Sequence, residues 1–240
     1  MKYFRRLILS LFASLGFLGY SATAQDLNNK LMNRPYADLR PWHLGFGVGL
    51  HTQDLQFTHN GAIINGETWF VEQPGFSPGF TVNGLLDVRL NDFFNFRFTP
   101  GLSFGNRDLR MREENTGEIL KQNLKTAYLM FPLDLKFGAT RYRNMRPYLI
   151  GGIMPTINLT RKNGEYIKLK PADFYLSAGF GCDFYLPYFK LIPELKFCFG
   201  LTDVLEHDRP DLDDDPTREK ITQSLKKATS MMVVLTFYFE

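Results

Sequence analysis

Large apolar residues return at every second position through stretch after stretch of this chain, a period that fits a β-strand and defeats a helix. Residues 94–104 put Phe94, Phe96, Phe98, Leu102 and Phe104 on one parity, with Asn95, Arg97, Thr99, Gly101 and Ser103 on the other. Residues 126–137 set Ala127, Leu129, Phe131, Leu133, Leu135 and Phe137 against Thr126, Tyr128, Asp134 and Lys136. Residues 173–186 repeat it with Phe174, Leu176, Ala178, Phe180, Phe184 and Leu186 opposite Asp173, Tyr175, Ser177, Gly179, Gly181 and Asp183. Then Phe189, Leu191, Leu195, Phe197, Phe199 and Leu201 alternate with Lys190, Glu194, Lys196, Gly200 and Thr202. A last run carries Met231, Val233, Leu235, Phe237 and Phe239. Weaker alternation covers 42–56, 79–90 and 147–160.

These stretches predict about eight strands, the smallest number used by outer-membrane barrels. One parity is Phe and Leu; the other is Gly, Ser, Thr and charge. A lipocalin would put its large apolar residues inside, whereas glycine and charge suit the crowded interior of an eight-strand ring, with the apolar parity toward lipid. Connections alternate in length. They run long at 57–75, 108–123 and 204–225, middling at 162–171, and short at Asn91-Asp92, Thr140–Arg146 and Pro187-Tyr188. Long external loops and tight periplasmic turns make that signature, and both termini then fall on the periplasmic side. Trp42, Phe93, Tyr142, Tyr148, Tyr185, Tyr188, Phe189 and Tyr238 would form an aromatic girdle at that rim. The expected fold class is all-β, an eight-stranded antiparallel transmembrane β-barrel over residues 42–240.

The N-terminus reads as an address. Met1–Arg6 is basic, Leu7–Leu18 is apolar, and Ala22-Thr23-Ala24 fits signal-peptidase cleavage before Gln25. Residues 1–24 are therefore expected to be a signal peptide, and 25–41 a periplasmic N-terminal segment. A net charge of +3 with dispersed basic residues gives no nucleic-acid signal.

Asp87, Arg89, Arg97, Asp134, Lys136, Asp183, Glu194 and Lys196 share the lumen parity. A turn at Asn91-Asp92 sets Asp87 opposite Arg97. An ion-pair plug is preferred over a proton or ion path, because eight strands leave little bore. Asp211, Asp213, Asp214 and Asp215 lack the spacing of a calcium loop. They read as a solvated external loop, a candidate partner-docking surface, leading into a short helix over 217–226. Cys182 and Cys198 fall on opposite parities, which excludes a disulfide. His43 and His51 share the lumen but lie roughly 27 Å apart along a strand, so no metal site is expected. No nucleophile–base pair or cofactor motif is evident, and neither an enzyme nor a cofactor is expected. Pro193 inside a strand predicts a bulge or local break.

Five segments carry a resemblance: Leu39–Leu50 (LRPWHLGFGVGL), Phe96–Gly105 (FRFTPGLSFG), Phe131–Gly138 (FPLDLKFG), Arg146–Gly152 (RPYLIGG) and Asp183–Phe197 (DFYLPYFKLIPELKF). Together they resemble the PorT family of Bacteroidota outer-membrane β-barrels, across essentially the whole mature chain. That resemblance implies a role in type IX secretion, the export of proteases and adhesins bearing a sorting domain. The implied part is a non-enzymatic scaffold or assembly factor partnered by outer-membrane lipid and other secretion-system proteins. The alternative is a small-solute or ion pore of the porin-like barrel superfamily.

Overall fold

The computed structural model describes residues 33–59, 69–72, 77–113, 119–160, 167–206 and 225–240. The expected signal peptide and the acidic stretch Asp211–Asp215 lie outside the described residues. So does most of the helix expected over 217–226, but its last two positions are strand.

The alternating stretches become antiparallel strands: β1 (Trp42–His59), β2 (Trp69–Glu72), β3 (Pro78–Arg89), β4 (Phe94–Phe98), β5 (Gly101–Glu113), β6 (Ile119–Met130), β7 (Leu133–Gly138), β8 (Met145–Asn158), β9 (Ala172–Tyr185), β10 (Lys190–Gly200) and β11 (Leu225–Phe239). Two pairs of these are single paths. Strand β3 keeps one register with both β4 and β5, Leu86 facing Phe98 and Asn83 facing Gly101. The ladder lapses over Thr99 and Pro100, where Pro100 has no N–H to donate although its carbonyl still accepts from Gly84 at 2.8 Å. Pro132 does the same between β6 and β7, where Met130 faces Gly101 and Leu133 faces Phe98. Counted so, the pairings run through a ring of eight paths: β1, β3, β4/β5, β6/β7, β8, β9, β10, β11 and back to β1. Pro193 breaks the β9 ladder between Leu191 and Glu194 without shifting register, so it is a break and not a bulge.

Outside, the wall is apolar: Leu44, Phe46, Val48, Phe80, Leu149 and Phe180 are all exposed. Inside, it is polar, with His43, Thr81, Asn83, Ser103 and Ser177 buried. Glycine supplies room. A Cβ on Gly79 would lie 2.3 Å from the His51 ring, and one on Gly181 would lie 2.4 Å from the Tyr148 hydroxyl.

Two expected loops are corrected. The 57–75 connection contains β2, and 108–123 is mostly a hairpin whose ladder continues from Arg107 facing Leu124 to Arg112 facing Ile119. The physical reason is an inversion of polarity along the strands. On β5 the outward residue Phe104 is followed by exposed Asn106, Asp108, Arg110 and Arg112, while the inward side changes to buried Leu109 and Met111. On β1 the outward Leu50 gives way to Asp54 and Gln56, with Leu55 buried inside. Those inward apolar residues join Val71, Leu124, Ile167, Val204, Leu205, Leu225 and Ala228 in one core at that end. The lower ring is apolar outside and polar within; the upper ring is the reverse. A change of outer solvent from hydrocarbon to water explains both halves.

Candidate functional site

The inward parity of β3, β4, β7, β9 and β10 converges on one buried charge network. Asp87 and Arg97 face each other across β3 and β4, as the turn predicts. The Arg97 guanidinium is fully buried; its Nε and Nη2 donate to Asp87 Oδ2 at 3.0 and 2.6 Å. Its Nη1 donates to Glu194 Oε2 at 2.7 Å and to the Tyr148 hydroxyl at 3.1 Å. Tyr148 in turn donates to Glu194 at 2.8 Å, and Asn95 donates to Asp87 at 2.5 Å. Lys136 donates to both oxygens of Asp183, at 2.9 and 2.7 Å, and sits 4.2 Å over the Tyr148 ring. Lys196 donates to Asp134 at 2.6 Å and lies 3.2 Å from Glu194; Ser177 supplies Asp134 with a further donor at 2.8 Å.

Seven of the eight residues chosen from parity are thus brought together. Arg89 is not: it is partly exposed at the end of β3 and pairs with Asp92 in the turn. Its position, two residues before the turn, lets a long side chain fold back to an acid instead of entering the lumen. A further cation of the same parity is Lys190, buried and within electrostatic reach of Asp183. It pairs with Glu240, whose other oxygen lies 2.7 Å from His43 Nδ1.

The network fills the bore. A cavity beside it, lined by Thr99, Glu194, Lys196, Cys198 and Tyr238, measures about 20 Å³, room for about one water. Above it, Tyr175 accepts from Gln53 at 3.0 Å. Buried Arg107 donates to the Tyr128 hydroxyl at 3.3 Å, with no carboxylate paired to it among the described residues. Ser103 Oγ lies 3.2 Å from His51 Nε2, both side chains buried. Neither serine nor imidazole is open to a substrate.

Below the network a strap, Asn33–Leu39, crosses the mouth at the end where β1 begins and β11 finishes. Asn33 donates to the Tyr185 carbonyl at 3.0 Å, and Ala37–Leu39 forms one 3₁₀ turn. Asp38 accepts from the Tyr185 hydroxyl and from Arg141, with Arg146 3.6 Å away. Arg141 also donates to the carbonyls of Asn33 and Arg34. This corrects the expected girdle: Trp42, Phe93, Tyr142, Tyr188 and Phe189 are exposed at the rim, but Tyr148, Tyr185 and Tyr238 point inward. The Tyr148 hydroxyl serves the network and that of Tyr185 the strap, while the Tyr238 ring lies 5.7 Å from the Arg97 guanidinium, contacts that rim-facing rings could not make. Both cysteines are free, Cys198 buried and Cys182 half-buried. The acidic docking surface proposed at Asp211, Asp213, Asp214 and Asp215 lies outside the described residues.

Two solved structures resemble the chain. One is the crystal structure of the outer membrane protein OprG from Pseudomonas aeruginosa, 12% identical, covering 82% of this chain and 91% of that one, with a TM-score of 0.44. The other is the N-terminal β-barrel domain of Pseudomonas aeruginosa OprF, 11% identical, covering 80% and 97%, with a TM-score of 0.32. No curated protein matches the chain. A family model described as an outer membrane protein beta-barrel domain matches residues 23–206, well over half the length. The apolar outer band, the polar filled interior and this match agree, and the chain belongs to the outer membrane protein β-barrel domain family.

Proposed function

We propose that this protein is a closed, eight-stranded outer-membrane barrel that serves type IX secretion as a non-enzymatic scaffold or assembly factor. The observation that carries the scaffold reading is the filled lumen: Arg97, Lys136 and Lys196 are locked to Asp87, Asp134, Asp183 and Glu194 across the bore. A bore so occupied admits no protein cargo, so the work falls to the outer wall and the two ends. The assignment to type IX secretion rests on the resemblance to PorT in Leu39–Leu50 and Asp183–Phe197. In this reading residues 1–24 are removed as a signal peptide. The strap and the short turns then face the periplasm, and the β5–β6 hairpin with the Asp211–Asp215 stretch faces outward to meet other secretion components. The test is a deletion strain. Sorting-domain proteins should disappear from the medium and build up in the periplasm, and return with the wild-type gene. Export at the parental level would sink the assignment.

A further inference from the structure

At the terminal rim, where β1 begins beside the end of β11, lies a cavity of about 410 Å³ lined by Arg34, Arg40, Trp42, His43, Leu44 and Glu240. Its two halves have opposite chemistry. Trp42 and Leu44 belong to the outward apolar wall, which continues along β1 through Phe46, stacked on Phe239 at 5.4 Å. Arg34 and Arg40 supply two guanidinium groups at the same level. Arg40 is exposed, and its side chain makes no hydrogen bond or ion pair among the described residues. Arg34 spends one N–H on the Glu240 carbonyl at 3.2 Å and keeps its other donors. The one carboxylate side chain lining the cavity, that of Glu240, is already engaged by His43 and Lys190.

The backbone is held in place at both arginines, at Arg40 by its N–H donating to the Ala37 carbonyl. Arg34 has a φ of 45°, the left-handed region that non-glycine residues avoid. Arg141 fixes that turn by donating to the carbonyls of Asn33 and Arg34. Guanidinium forks match phosphate oxygens, and an indole at a bilayer interface lies level with headgroups. We propose that this cavity binds one anionic phospholipid of the adjoining leaflet, its phosphate between Arg34 and Arg40 and an acyl chain along Leu44 and Phe46. An acidic peptide would satisfy the arginines but would leave the continuous apolar wall unused. The proposal rests on the membrane placement of the ring and is independent of any role in secretion.

The experiment titrates purified protein, in zwitterionic detergent, with phosphatidylglycerol or phosphatidylcholine and counts bound lipid by native mass spectrometry. One saturable lipid is expected, with phosphatidylglycerol preferred by about fivefold or more, since each basic residue near a bilayer surface contributes about one such factor. Arg40→Gln should lower that preference by about fivefold, and Arg34→Gln with Arg40→Gln should abolish it. Arg112→Gln, on the exposed far end of β5, should leave it unchanged. Glycerophosphate at the same concentration should not displace the lipid. Equal binding of both lipids, an undiminished preference in the Arg40 variant, or an equal loss in the Arg112 variant would each overturn the proposal. Displacement by glycerophosphate would mark a site for a free phosphate ester and overturn it too. Heat-modifiable gel migration of every variant confirms folding, and Arg40→Gln alone decides the matter if the double variant does not fold.

Discussion

Arg97 and Arg107 show how far the worth of a buried cation depends on its partners. Arg97 compensates Asp87 and Glu194 at once, so Arg97→Met takes the nearest cation from two buried carboxylates, leaving Asp87 only Lys136 at 3.8 Å and Glu194 only Lys196 at 3.2 Å. Breaking a buried pair in this way costs about 3–5 kcal/mol. Arg107 has the Tyr128 hydroxyl and ring beside it but no acid to strand. Arg107→Met is therefore expected to fall within about 1 kcal/mol of neutral, or to stabilise. Urea unfolding of both variants in the same detergent checks the contrast; equal losses would show that the network's pairing is not what matters. Glu240 gives a pH test outside the membrane-spanning strands. Burial would raise its carboxyl, but the His43 hydrogen bond and the Lys190 ammonium prevail and hold it below its ordinary value. A carboxyl depressed in the folded state contributes stability above its unfolded pKa and loses it as pH falls through the folded value. Unfolding midpoints should drop on acidification from neutral pH, and Glu240→Gln should flatten that drop. An unchanged slope in the variant would show that this carboxyl is not linked to folding.

The strands were legible where one face meets lipid, because hydrocarbon outside and charge inside give the strongest contrast a period-two pattern can have. The Asp87–Arg97 pairing was legible for a second reason, since a short turn fixes the register of its hairpin. Legibility failed in two places, each with a cause. Beyond Phe104 the period persists but the polarity changes sign, so a reader following one apolar parity sees Arg107, Asp108, Arg110 and Arg112 as a loop. The link from Lys190 to Glu240 depends on β10 lying beside β11, and the connection between them runs from 201 to 224, too long to set a register. The inversion predicts two different costs for one substitution. Phe180→Arg, midway along the apolar column of β9, should cost about 2–4 kcal/mol in a bilayer, while Asn123→Arg on the outward face of β6 should cost about 0–1 kcal/mol. Folding equilibria in lipid vesicles measure both, and similar costs would mean that the bilayer boundary does not lie between Phe104 and Asp108.

At the scale of the whole molecule, three barriers stand in series through the ring. The Asn33–Leu39 strap covers the terminal end, the charge network occupies the middle, and the Leu55–Leu109–Met111 core fills the far end. Their stabilities need not be equal. The strap hangs on Asp38, which is about a quarter exposed and shared by Tyr185, Arg141 and Arg146. The network is buried and held by partners from six strands, β3, β4, β7, β8, β9 and β10. Local opening follows the weaker set of contacts, so the strap is the part expected to move without the rest. Asp38→Asn should then speed hydrogen exchange at residues 33–40 while leaving β4 and β10 protected. It should not make the protein conduct, because the network beneath remains closed. Planar bilayers carrying either wild type or Asp38→Asn are accordingly expected to stay silent. Stable steps from the wild type would mean that the paired charges part easily and would favour a pore over the proposed scaffold. Steps from Asp38→Asn alone would make the strap, not Arg97 and its acids, the true seal.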